Sequence, residues 1–250
     1  MTADVRHYEP RPGLLKDRVI LITGASDGIG KALAMRCAQL GARVILHGRN
    51  VAKLEAVYDA IVAIEGALQP SIACMDLATA DSQAYTSLAQ SIEDEFGRLD
   101  GVVHNASMLG DRMALDQYDV GTFQRVMHVN LTAAFALNQV CMPLLRQSDD
   151  ASVIFTSSGV GRKGRAFWGA YSISKFGTEA MMQILADENR HGSLRFNCIN
   201  PGAVRTRMRL EAYPAEDRSK LKTAEEILAP YLFLLGPDSQ GVSGESLDAQ

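Results

Sequence analysis

Arg18-Val19-Ile20-Leu21-Ile22-Thr23 runs directly into Gly24-Ala25-Ser26-Asp27-Gly28-Ile29-Gly30, and a helix-forming stretch from Lys31 to Leu40 follows. This sequence of elements constrains the fold more than composition does. The apolar, β-branched run reads as a strand buried on both faces, the kind found in parallel sheets. Glycines in the turn let the backbone approach a pyrophosphate closely. The helix start aims free N–H groups and its positive dipole end at the same point. The spacing T-G-x-x-x-G-x-G differs from the fingerprint G-x-G-x-x-G, and no Lys-Ser/Thr pair closes it as in a P-loop. Thr23, Gly24, Ser26, Asp27, Gly28, Ile29 and Gly30 are the candidate phosphate-cradling residues.

Beyond this unit the pattern alternates. Strands are expected near 18–23, 42–47, 70–75, 100–104, 151–156, 194–199 and 244–248, with helices near 28–40, 50–65, 81–96, 117–146, 168–190 and 223–235. Alternation of this kind predicts an α/β fold, a Rossmann-type doubly wound parallel sheet with helices on both faces. Right-handed crossovers gather the C-terminal strand ends, placing Gly24, Ser158 and the Asn200 loop around one crevice. The length of 250 residues fits one nucleotide-binding domain over 1–250, with residues 1–16 as a loose lead-in.

The second strand, Ala42 to His47, is followed by Gly48-Arg49-Asn50. In such folds the residue after this strand meets the adenosine ribose. An acidic side chain there selects NAD, and an arginine accommodates the 2′-phosphate of NADP. Gly48 takes the acidic position and Arg49 follows, so NADP (NADPH) is expected and NAD is disfavoured.

Tyr171 and Lys175 stand four apart in the helical stretch from Trp168 to Arg190, on one face and a turn apart. A phenol is a poor acid–base group, with a reference pKa of about 10. A neighbouring ammonium favours the phenolate and lowers that value. Ser158 follows the strand-like run Ser152 to Thr156, which puts a hydroxyl at a strand's C-terminal edge. Together the three side chains suit proton exchange with a carbonyl oxygen.

These residues resemble the short-chain dehydrogenase/reductase family in its compact form, over nearly the whole chain. Thr23, Gly24, Gly28 and Gly30 match its cofactor turn, and Asp76-Leu77 match the adenine-contacting position. Asn105-Ala106 match its Asn-Ala-Gly segment, with Ser107 in place of the glycine. Asn130, Ser158, Tyr171 and Lys175 match the catalytic positions. Asn200-Pro201-Gly202, with Val204 and Thr206 beyond, match the loop over the nicotinamide. Thr156 to Arg162 with Gly164-Arg165-Ala166 is similar to a bacterial subgroup of uncharacterised short-chain oxidoreductases. The resemblance implies that Tyr171 exchanges the proton, Lys175 tunes it and binds the nicotinamide ribose, Ser158 hydrogen-bonds the substrate oxygen and Asn130 holds a relay water. It also implies dimers or tetramers. The broad apolar faces of 117–146 and 168–190, including Phe123, Val126, Phe135, Leu137, Val140 and Met142, give an independent reason to expect a homo-oligomer.

A net charge of −4 gives no electrostatic case for nucleic acid. Cys37, Cys74, Cys141 and Cys198 are scattered and form no metal spacing with the five histidines, so neither a metal nor a disulfide framework is expected. A reducing cytoplasm is the simplest setting. The N-terminal residues lack a signal-peptide core, and no apolar run is long enough for a membrane span.

A small carbonyl compound is the expected substrate. Residues 203–222 are expected to close over it. Arg205, Arg207 and Arg209 in that loop, and Arg162, Lys163 and Arg165 after Ser158, are candidates for receiving an anionic substrate group. Enoyl reduction fits less well, because relatives with that activity usually space Tyr and Lys further apart. A non-catalytic NADP-binding sensor or scaffold is the alternative from another class.

Overall fold

The computed structural model describes residues 4–250. Seven strands form one sheet: β1 (Val19–Thr23), β2 (Arg43–Gly48), β3 (Ser71–Cys74), β4 (Gly101–His104), β5 (Ser152–Thr156), β6 (Arg195–Asn200) and β7 (Ser246–Asp248). All pair in parallel, in the order β3-β2-β1-β4-β5-β6-β7. The helices are α1 (Gly28–Gln39), α2 (Val51–Val62), α3 (Ser82–Phe96), α4 (Val120–Met127), α5 (Ala133–Leu145), α6 (Gly169–Glu188), α7 (Arg207–Ala212) and α8 (Ala229–Leu235).

The continuous apolar strands are explained by cover on both sides. In β1, Ile20 and Ile22 join a core with α1, α2 and α8, whereas Val19 and Leu21 face α3, α5 and α6. Successive side chains point to opposite faces of a strand, so both sets must be apolar. This is the Rossmann-type doubly wound fold that the alternation predicts. The strand order reverses between β1 and β4, which opens a crevice at their C-terminal ends.

At the opposite end of the sheet, Asp150 lies between two arginines. Its carboxylate accepts from Arg195 Nη2 at 2.8 Å and Arg18 Nη1 at 3.0 Å. Arg195 is 4% exposed, so this pairing supplies a counter-charge that water cannot.

Three expectations need correction. The helix expected over 117–146 begins only at Val120 and runs without a break to Leu145, its α4 and α5 parts meeting in a widened π-type turn at His128–Thr132. Asn130 lies in that turn and bonds to the loop after β4, and Leu131 packs over Gly177 of α6. The helix expected over 223–235 begins only at Ala229. Pro230 falls in its first turn, where a missing N–H costs no helical bond. Residues 4–16 are tied down rather than loose. Tyr8 meets the Phe233 ring edge-on at 5.3 Å and donates to Asp238 at 2.8 Å, and Leu14 and Leu15 are buried. Residues 1–3 of the expected lead-in lie outside the described residues.

Candidate functional site

Thr23 ends β1 at the point where the strand order reverses. Its hydroxyl accepts the N–H groups of Asn105 and Ala106, both at 2.9 Å, and donates to the Val103 carbonyl at 3.2 Å. Asn105 Nδ2 returns a bond to the Thr23 carbonyl at 3.0 Å. The turn after β1 is thus fastened to the end of β4. Gly24 takes φ of +68°, a left-handed conformation that favours glycine. At Gly30 a Cβ would stand 2.2 Å from the Gly24 carbonyl oxygen, so α1 can start this close to the turn only without a side chain. Asp27 accepts the Gly28 N–H at 2.8 Å and pairs with Lys53 at 2.9 Å.

The remaining candidate cofactor residues collect at the same end of the sheet. Arg49 follows β2, is 75% exposed and reaches to 3.9 Å from Asp76. Asn50 caps α2 by accepting the Lys53 N–H at 3.0 Å. Asp76 accepts the Ala78 N–H at 3.0 Å beside buried Leu77. Beyond β6, Gln250 donates to the carbonyls of Pro201 at 2.7 Å and Ala203 at 3.1 Å, covering Gly202. Val204 is buried, and Thr206 caps α7 through the Arg209 N–H at 3.2 Å. Ser107 needs no positive φ, so a residue with a Cβ fits where the family's segment has glycine.

Tyr171 and Lys175 are buried on α6, at 9% and 3% exposure. Lys175 Nζ donates to the Thr156 carbonyl at 2.6 Å and lies 5.6 Å from the Tyr171 ring centroid. Gly161 makes room for this: a Cβ there would stand 2.8 Å from the Lys175 Cβ. Ser158, just past β5, faces the phenol. Asn130 spends its amide on Met108 (accepting at 2.7 Å, donating at 2.9 Å) and on Ser174 Oγ at 3.0 Å. Ser174 in turn donates to the Tyr171 carbonyl at 2.7 Å. A small, partly open space of about 10 Å³ between Asn130 and Lys175, also bounded by Thr23, His104, Thr156 and Thr178, has room for one water.

Burial governs the charges here. The Tyr171 phenol is pushed up to about 12 by burial, and the nearby Ser158 hydroxyl only partly opposes the rise. This corrects the expectation of a lowered phenol pKa: desolvation dominates, and Lys175 aims its ammonium at the Thr156 carbonyl. Burial also brings Lys175 down to about 8.

Around Tyr171 the crevice has an aromatic wall. Leu109, Val160, Tyr171 and Ala212 pack with Trp168, Met208 and Tyr213. Three of the six expected rim cations are spent elsewhere, and Lys163, Arg165 and Arg205 are exposed. Arg162 pairs with Asp248 at 2.8 Å and Glu179 at 3.4 Å, and Arg207 with Glu211 at 3.0 Å. Arg209 makes a two-bond pair with Glu216. Sequence reasoning missed Arg112, which reaches this wall from the loop after β4. Asp111-Arg112 belongs to no motif, so only the folded loop reveals it.

The sequence model of the short chain dehydrogenase family matches residues 18–217. The chain belongs to the short chain dehydrogenase family. This oxidoreductase is 52% identical over 244 residues to YciK of Escherichia coli K12, an uncharacterised oxidoreductase, covering 98% of this chain and 96% of that protein. It superposes with a TM-score of 0.95 on a short chain dehydrogenase from Pseudomonas syringae, at 52% identity and covering 97% and 98% of the two chains. A short chain dehydrogenase from Escherichia coli CFT073, solved in complex with NADPH, matches at 52% identity and a TM-score of 0.94, covering 96% of this chain and all of that one (100%). No helix among the described residues is long and apolar enough to cross a membrane.

Proposed function

We propose that this oxidoreductase is NADP(H)-dependent and moves a hydride between nicotinamide and a carbonyl or alcohol substrate, with Tyr171 as general acid and base. The observation that carries the reading is the convergence of two sites. The buried Tyr171–Lys175 pair and Ser158 sit at the same sheet end as the glycine turn.

The residues present fit the cofactor. The close approach that glycine permits at Gly30 and Gly24 leaves room for a pyrophosphate against the start of α1. Arg49, exposed and unspent apart from its long-range contact with Asp76, suits a 2′-phosphate. Asp76 and Leu77, Asn105 and Ala106, and Pro201, Gly202, Val204 and Thr206 would frame the remaining parts. The bound NADPH of the E. coli CFT073 relative supports this choice. When bound, the cofactor supplies the hydride.

The chain's own residues handle the proton. A phenol held near 12 stays protonated at neutral pH, so Tyr171 is ready to donate to a carbonyl oxygen. Ser158 hydrogen-bonds the same oxygen as negative charge grows on it. Lys175, with its ammonium 5.6 Å from the Tyr171 ring centroid, offsets the negative charge left on the phenol after it donates. The single-water space beside Asn130 suits a path from Lys175 toward solvent.

Exposed apolar side chains support a homodimer or homotetramer. Val126 and Leu137 belong to the core, but Phe135, Ile173, Phe176 and Ile184 of α5 and α6 are solvent-facing. Four free thiols suit a cytoplasmic setting, and we read residues 1–250 as one domain.

A screen of ketones and aldehydes, read as NADPH absorbance loss and repeated with NADH, tests the proposal. Turnover that prefers NADPH is expected. Tight NADPH binding with no turnover on any carbonyl would favour the sensor or scaffold instead.

A further inference from the structure

One cation on the aromatic wall takes no part in the chemistry above. The Arg112 guanidinium carbon sits 4.4 Å from the Trp168 ring centroid and 4.6 Å from that of Tyr213. Trp168 packs in turn on Tyr171, with ring centroids 5.7 Å apart. Trp168 thus contacts both the guanidinium and the ring of the candidate proton donor. Leu109, Val160 and Met208 line the same wall with apolar surface.

Of the nearby cations, Lys163, Arg165 and Arg205 are exposed to water and the others are paired, whereas Arg112 is half-buried and unpaired. Arg162, Arg207 and Arg209 each meet a carboxylate. Among the described residues no carboxylate pairs with Arg112. Its one hydrogen bond is from Nη1 to the Ala212 carbonyl at 2.6 Å. Nε is buried with no partner. A guanidinium has five N–H donors in a planar fork. Aromatic faces attract it but supply no counter-charge. A partly buried cation with unspent donors, on an apolar wall of low dielectric, binds a carboxylate more strongly than a surface cation does.

We infer that Arg112 receives a carboxylate on the carbonyl substrate, so that the preferred substrates are oxo acids with an apolar spacer between the acid and the reacting carbonyl. This rests on the hydride-transfer reading for its substrate but not for its binding site. The loop after β4, rather than the basic residues after β5 or in 205–209, then sets specificity.

The test uses the NADPH complex of the full chain. Heptanoate and heptanamide serve as non-reducible probes in binding titrations, and 6-oxoheptanoate and its methyl ester as substrates. The wild type is expected to bind heptanoate at least about tenfold more tightly than the amide, the range of one charge-assisted pair. Arg112→Gln should erase that preference by weakening the acid alone, Arg112→Lys should keep part of it, and Tyr171→Phe should keep all of it. In turnover, Arg112→Gln should raise KM for the oxo acid with kcat little changed and leave the ester untouched. Preferential heptanoate binding without reduction of any carbonyl would sink the hydride-transfer reading and leave the carboxylate site standing. Equal binding of acid and amide by the wild type would overturn the inference. So would an Arg112→Gln variant that weakens both alike, the signature of a mere latch onto α7.

Discussion

Replacing Lys175 by methionine should make the protein more stable and less useful. The ammonium is 3% exposed, and burial brings it from the ordinary 10.5 to about 8. Each pKa unit corresponds to about 1.4 kcal/mol, so holding the charge in the folded state at pH 7 costs on the order of 3 kcal/mol. Methionine keeps an apolar stem of similar length and removes the charge. It also strips the Thr156 carbonyl of a 2.6 Å hydrogen bond, a loss of about 1–2 kcal/mol. Lys175→Met should therefore gain about 1–2 kcal/mol at pH 7. The sign must change with pH. Between pH 8 and 10.5 the folded wild type has released this proton while the unfolded chain still holds it, so wild-type stability rises with pH across that window. Above 10.5 the penalty is gone and only the lost hydrogen bond remains, so the variant should be the less stable protein there. Urea unfolding of both proteins at pH 7 and near pH 10.5, with unchanged m values, measures the difference. A variant that is destabilised at pH 7, or a difference that is the same at both pH values, would mean that burial of the ammonium costs the fold nothing.

Gly30→Ala should abolish NADPH binding and lower Tm, because its Cβ would stand 2.2 Å from the Gly24 carbonyl oxygen; a fluorescence titration of the folded variant and a thermal melt check both halves. Arg49→Ala should weaken NADPH by about tenfold or more and leave NADH unchanged, in paired titrations at one ionic strength. Asp150→Asn should cost about 3 kcal/mol in urea unfolding, since it leaves Arg195 buried without its counter-charge; NADPH affinity should hold, because that pairing lies at the far end of the sheet.

Local pattern carried the scaffold. The buried run Val19 to Thr23, the glycine turn and the helix after it are adjacent in sequence, so their meaning could be read in place. The same holds for Tyr171 and Lys175, four apart on one helix. What was not legible depends on contacts between distant segments. The π-type turn at Asn130 forms because its amide meets Met108 and Ser174 and Leu131 meets Gly177, none of which periodicity records. The fate of the arginines was equally hidden. Arg162 faces Asp248 and Glu179, and Arg112 reaches Trp168 and Tyr213, through chain separations that only the fold closes. The phenol's acidity was misjudged for a related reason. Helical spacing places an ammonium nearby, but how deeply both groups are buried, and that Lys175 aims at Thr156, follow from packing.

The central claim is that the Tyr171 hydroxyl hands a proton to the substrate oxygen. Single-turnover reduction of a carbonyl by the NADPH complex, in wild type and Tyr171→Phe, tests it most directly. The rate in the variant should be lower by about a hundredfold to ten-thousandfold, the range for loss of a general acid, with NADPH affinity within about twofold of wild type. Reduction at the wild-type rate by the phenylalanine variant would contradict it.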